Sequence, residues 1–143
     1  MRLSRTASES RTIGLAKALL DTSAVIGLFA GEPAVVSAVE RRQQLFLPVI
    51  ALAELYYGAF RSARRANNIA RLDEFAETIT TLDCDASTAR VYGEAKAILA
   101  GKGRPIPEND LWIAALALQH RLVVLTRDPH FKEVDGLGLE FVT

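Results

Sequence analysis

A chain of 143 residues, half of them hydrophobic and 24% charged, is the size of one domain with a core of its own. Its formal charge of zero excludes the global basic field that announces a nucleic-acid binder. One cysteine, Cys84, and two histidines, His120 and His130, exclude an intrachain disulfide framework and argue against a Cys-based zinc site.

The opening MRLSRTASESRT is rich in Ser, Thr and Arg and has no apolar core, so it is not a secretory signal. Residues 1–16 are expected to be a disordered leader or an overlong start, followed by a single domain over 17–143. No apolar run is long enough to span a membrane, and the lack of disulfides is compatible with a cytoplasmic home.

Lys17 to Leu20 reads as an apolar strand that stops at Asp21, and Thr22 and Ser23 open a short helix to about Ala30. Gly31-Glu32-Pro33 breaks the chain, with Pro33 at the first position of a helix reaching Arg42. Leu45 to Leu47 is a short buried strand ended by Pro48. Helical spacing then runs from Ile50 to about Ser62 and from Asn67 to Glu77, followed by a strand near Ile79 to Leu82. Asp85 caps a helix to Ala100, and Gly101 to Pro105 is a loop. A nearly all-apolar helix follows to about His120, then a β-branched strand from Leu122 to Leu125. Asp128-Pro129 starts a helical turn, Gly136 to Gly138 is a turn, and Leu139 to Val142 is a closing strand. Strands alternating with helices in this way predict an α/β fold, a three-layer α/β/α sandwich with a mainly parallel central sheet.

Four acids stand out against this frame. Asp21 and Asp128 sit at carboxyl ends of strands, where such sheets bind ligands. Glu54 lies inside the apolar run Val49 to Tyr57, and Asp110 opens the apolar helix on one stripe with Ala114 and Ala117. Each has a structural explanation when taken singly. Asp21, Asp110 and Asp128 could cap helices, and Glu54 could pair with Arg61. Capping does not explain why two strand-end acids and two acids in apolar helices share one domain.

Four converging carboxylates repel one another and call for a cation. Oxygen donors select a hard ion, Mg²⁺ or Mn²⁺, which can activate water and steady the leaving oxygen of a phosphodiester. Ser23 has no base beside it in sequence, and no Gly-rich phosphate loop is visible. Thirteen of the seventeen basic residues are Arg. Arg61, Arg64 and Arg65 could hold phosphates, or could form a solvated helix face.

The segments LLDTSAVIGLF (19–29), ALAELYYGA (51–59), PIPENDLWIAALAL (105–118) and LTRDPHF (125–131) resemble the four motifs of PIN-domain ribonucleases. More narrowly they resemble VapC-type toxins of bacterial toxin–antitoxin pairs. The resemblance covers roughly Lys17 to Val142, and the leader before Lys17 is its clearest departure. It implies a PIN-like nuclease domain acting as a Mg²⁺-dependent endoribonuclease on structured RNA, tRNA or rRNA, held in check by a cognate VapB-type antitoxin. Asp21, Glu54, Asp110 and Asp128 match the acidic quartet, with Asp21 and Asp110 as the metal-proximal pair. Ser23, Asn109 and Thr126 match the polar residues that support it. A homodimer is also implied, and Tyr57 and Phe60 fall at or beyond the edge of their helix's core stripe, where an interface would use them. The antitoxin's tail is expected over a cleft, with a basic side chain near the carboxylates.

Two other readings compete. A degenerate PIN module would bind RNA or a protein partner without cutting, which the intact quartet argues against. A phosphotransferase would use Asp21 as a covalent nucleophile, but no acid stands two residues after it and no lysine partner is evident.

Overall fold

Among the described residues, five parallel strands form one sheet in the order β3-β2-β1-β4-β5. They are β1 (Lys17–Leu20), β2 (Gln44–Pro48), β3 (Thr80–Leu82), β4 (Val123–Thr126) and β5 (Leu139–Phe141). The computed structural model describes residues 17–143, so the expected leader at 1–16 lies outside the described residues. Six helices accompany the strands: α1 (Thr22–Phe29), α2 (Pro33–Glu40), α3 (Val49–Arg61), α4 (Arg65–Thr78), α5 (Ala86–Gly101) and α6 (Glu108–His120). A 3-10 turn, Pro129–Glu133, links β4 to β5.

The sheet is wholly parallel, as apolar strands covered on both faces require. Right-handed crossovers put the helices of the β1→β2→β3 run on one face and those of the β3→β4 return on the other. Strand order reverses between β1 and β4, whose register pairs Leu20 with Leu125. Asp21 and Thr126 therefore emerge side by side at the carboxyl edge, and the Asp21 amide bonds Leu125 O at 3.3 Å.

The α6 helix forms much of the core. Leu111, Ile113, Ala114, Ala115, Leu116 and Ala117 are all buried, each large one contributing about 1.5–3 kcal/mol. Ala114 and Ala117, on the stripe of Asp110, are among the buried ones. The N-cap of α5 is Asp85, in a capping box with Thr88.

Element ends differ from the sequence reading in a few places. The α2 helix stops at Glu40 rather than reaching Arg42. The Arg42 guanidinium, almost wholly buried, pairs instead with Glu140 of β5 at 2.5 Å. Pro48 closes β2 from within it and also caps α3, since a strand's last residue can dispense with an amide donor. No single helix among the described residues is long and apolar enough to cross a membrane.

Candidate active site

Asp21 is buried, 3% exposed, and accepts three kinds of donor. The Ala24 amide reaches Oδ1 at 2.8 Å, because Asp21 is the N-cap of α1. The Ser23 hydroxyl lies 2.7 Å from Oδ1 and 2.9 Å from Oδ2. The Thr126 hydroxyl donates to Oδ2 at 2.5 Å. Burial pushes the Asp21 carboxyl above its ordinary range, while Thr126, Ala24 and Ser23 pull it back and the charge of Asp128 pushes it up again. Capping and site geometry thus belong to the same residue.

Glu54 stands half-buried in the middle of α3 and accepts from the Thr22 hydroxyl at 2.8 Å. The salt bridge to Arg61 that could have explained it is not formed. Arg61 folds back on its own helix, bonding Tyr57 Oη at 3.1 Å and lying 5.2 Å from that ring's centre.

Asp110 occupies the third position of α6 and does not cap it; the N-cap is Pro107, with no side-chain cap bond. The capping explanation therefore fails for this acid. Its carboxyl is pushed up to about 7 by burial first, then by the charge of Asp128, a hydrogen bond shared with Asp128 and the charge of Glu54. His130 acts in the opposite direction. Such a shift is the mark of carboxylates crowded together in a partly dry cleft.

Asp128 caps the 3-10 turn through the His130 amide at 2.9 Å, and its own amide donates to Thr126 Oγ1 at 2.9 Å. His130 Nδ1 lies 2.8 Å from Asp128 Oδ1 and 3.7 Å from Asp110 Oδ2. Donor atoms of Asp110, Asp128 and His130 all lie within 4.8 Å of one another. The sequence reading missed His130. The signal was its place two residues after a capping Asp, which turns the imidazole back onto the carboxylate.

The structure thus gathers Asp21, Glu54, Asp110 and Asp128 at one carboxyl edge, with Ser23 and Thr126 both on Asp21. It leaves Asn109 exposed at the mouth of α6, without a side-chain bond to these carboxylates. Arg61, Arg64 and Arg65 are exposed where α3 passes into α4, and Arg65 bonds Phe60 O at 2.8 Å. A groove of about 270 Å³ opens beside the cleft, between α1, α3 and α4. It shares Thr22 and Glu54 with the site and is otherwise mainly apolar, with Arg71 on its wall.

The donor set suits a hard divalent cation. Its atoms are mostly carboxylate oxygens, and the charges of Asp128 and Glu54 add to burial in holding the Asp110 carboxyl up.

Comparison with known proteins agrees with this geometry. The PIN domain family model matches residues 18–137. The chain is 36% identical over 124 residues to Ribonuclease VapC5 of Mycobacterium tuberculosis, covering 85% of this chain and 90% of that one. It is 34% identical over 129 residues to the tRNA(fMet)-specific endonuclease VapC of Shigella flexneri, covering 87% and 96%. Among solved structures it resembles VapBC2 from Rickettsia felis, bound to a DNA fragment from their promoter. There the TM-score is 0.80 at 28% identity, over 87% of this chain and 98% of that one.

Proposed function

The chain belongs to the PIN-domain family, and on that premise we propose that Asp21, Glu54, Asp110 and Asp128 hold a divalent cation, Mg²⁺ or Mn²⁺, for the hydrolysis of structured RNA. Like its VapC relatives it is a ribonuclease, the toxin of a type II toxin–antitoxin pair. Residues 17–143 make up the nuclease domain. The observation that carries the reading is the convergence of four acids, two just past the ends of β1 and β4 and two on α3 and α6, on one edge of the sheet. A non-cutting module has no need to bear that repulsion.

A divalent ion bound there supplies charge neutralisation and a lowered water pKa at neutral pH. The chain's own residues prepare the site. Thr126 and Ser23 orient the Asp21 carboxylate and favour its ionised form, and Thr22 aims Glu54. Asp110, protonated more readily than an ordinary carboxyl in the metal-free chain, would hold the cation in its ionised form. Asp128 is fixed by its cap, with His130 against its outer oxygen.

The partner is a VapB-type antitoxin, as in the VapBC complexes whose toxin chain this fold resembles. The groove beside Glu54 suits its tail, with Ile26, Phe29, Leu55 and Leu72 for apolar residues. A basic side chain from that tail would reach the carboxylates. Two copies of the chain would pair through Tyr57 and Phe60, which are 64% and 53% exposed on α3. The exposed Arg61, Arg64 and Arg65 would hold RNA phosphates. A cytoplasmic location follows from such a substrate.

Analysis of the RNA ends tests the reaction. Water as nucleophile leaves the ribose 2′-hydroxyl untouched, so the products carry a terminal phosphate monoester. Ends closed as 2′,3′-cyclic phosphates would show attack by the ribose itself and would remove the proposed chemistry.

A further inference from the structure

The α1 helix is eight residues long and apolar, yet it has a buried glycine, Gly27, within it. Glycine weakens a helix interior, so its presence calls for a reason. A Cβ at this position would stand 2.8 Å from Val35 Cγ2, 3.0 Å from Arg127 Nη2 and 3.2 Å from Arg127 Cζ. The missing side chain leaves room for Val35 on one side and for the Arg127 guanidinium on the other.

Arg127 lies between Thr126 and Asp128, and its contacts all lead back to the other side of the site. Its backbone amide donates to Ser23 Oγ at 3.0 Å, and Nη2 donates to Ser23 O at 3.1 Å. Its Nη1 pairs with Glu32, at the N-cap of α2. The side chain is 26% exposed, and its planar fork is spent on these two acceptors. Ser23, held from behind in this way, turns its one O–H onto Asp21.

We propose that Arg127, seated beside Gly27 and tied to Glu32, is a positioning residue whose side chain holds the Ser23 backbone and so sets the spacing between the Asp21 and Asp128 carboxylates. The proposal rests on the reading of these acids as a cation site. It separates Arg127 from Arg61, Arg64 and Arg65, which are exposed. A lysine cannot replace it, because one ammonium cannot hold the two directions of the fork.

The test uses the full chain and Mn²⁺ alone, with affinity read by calorimetry on folded protein. Arg127→Ala is expected to weaken Mn²⁺ binding by about 10–100-fold, the range for partners that orient ligands. Arg127→Lys should recover little of it. Gly27→Ala removes no polar group but crowds the Arg127 guanidinium, and Val35 beside it, and should weaken binding similarly; adding Val35→Ala relieves the apolar clash and should not restore binding. The double variant of Arg127→Ala with Gly27→Ala should be no worse than the worse single one, since both remove the same brace. The salt dependence of RNA binding should stay as in the wild type. Gly27→Ala keeps the test alive should Arg127→Ala fail to fold.

Mn²⁺ affinity within about twofold of the wild type in both single variants overturns the proposal. So do multiplied losses in the double variant, or a flattened salt slope, which would make Arg127 a phosphate contact. A wild-type protein that binds no Mn²⁺ removes the cation site itself, and the brace with it. Wild-type binding with unaffected variants removes only the brace.

Discussion

The Thr126 hydroxyl donates to Asp21 Oδ2 at 2.5 Å across 105 residues of chain, and accepts from the Asp128 amide at 2.9 Å. One hydroxyl therefore joins two of the four acids. Thr126 is itself buried, so the link is shielded from competing water.

Thr126→Val keeps the shape and removes the link. Burial of Asp21 then goes less opposed, and its carboxyl should rise further. Metal affinity should fall by about 10–100-fold and the stability of the fold by about 1–3 kcal/mol, the cost of leaving buried partners unsatisfied. Calorimetry and urea denaturation read the two effects separately.

The Asp110 carboxyl moves from its ordinary 3.8 to about 7 in the metal-free fold. Between those values the folded chain holds a proton that the unfolded chain has lost. Its contribution to stability is therefore full below about pH 4 and is lost as pH rises through about 7. Divalent ion should reverse this trend, and its affinity should climb with pH until Asp110 is ionised. Asp110→Asn should raise the metal-free Tm at pH 8 by a few degrees and erase the added stability from Mn²⁺. Thermal scans across pH 5–8, with and without Mn²⁺, check both.

Tyr57 and Phe60 do not pack beneath the Arg-rich helix that follows; they face solvent. Sedimentation at micromolar concentration should show a dimer that Phe60→Glu disperses. A monomer indifferent to that change would leave these aromatics without a partner of their own kind.

Replacing Arg61, Arg64 and Arg65 with Ala should weaken RNA binding and lower the slope of log affinity against log salt by up to about 2 units, since fewer counterions are released. Filter binding at several salt concentrations measures it. An unchanged slope would assign these side chains to the solvated face or to the antitoxin.

Much of this architecture was legible because period and punctuation agreed. Strand-end Asp21 and Asp128, each followed by helix-starting residues, marked the carboxyl edge of the sheet. The unusual setting of Glu54 in an apolar run marked the third acid. Other features depend on contacts far apart in sequence. Nothing local at Gly27 announces a guanidinium 100 residues away, and nothing at Thr22 announces Glu54. His130, one of only two histidines, says little in isolation, because its chemistry comes from the turn that folds it onto Asp128. The end of α2 at Glu40 leaves Arg42 outside the helix, where it pairs with Glu140 of β5, a contact that propensity does not encode.

Cleavage of a structured RNA by the purified protein, freed of antitoxin, tests the carboxylate-held cation most directly. The assay runs in Mg²⁺ or Mn²⁺, in excess chelator, and with Asp110→Asn beside the wild type. Cutting is expected only from the wild type with divalent ion present, the variant being folded and inert. Undiminished cutting in chelator, or by the folded Asp110→Asn protein, would contradict a reaction that depends on this cluster.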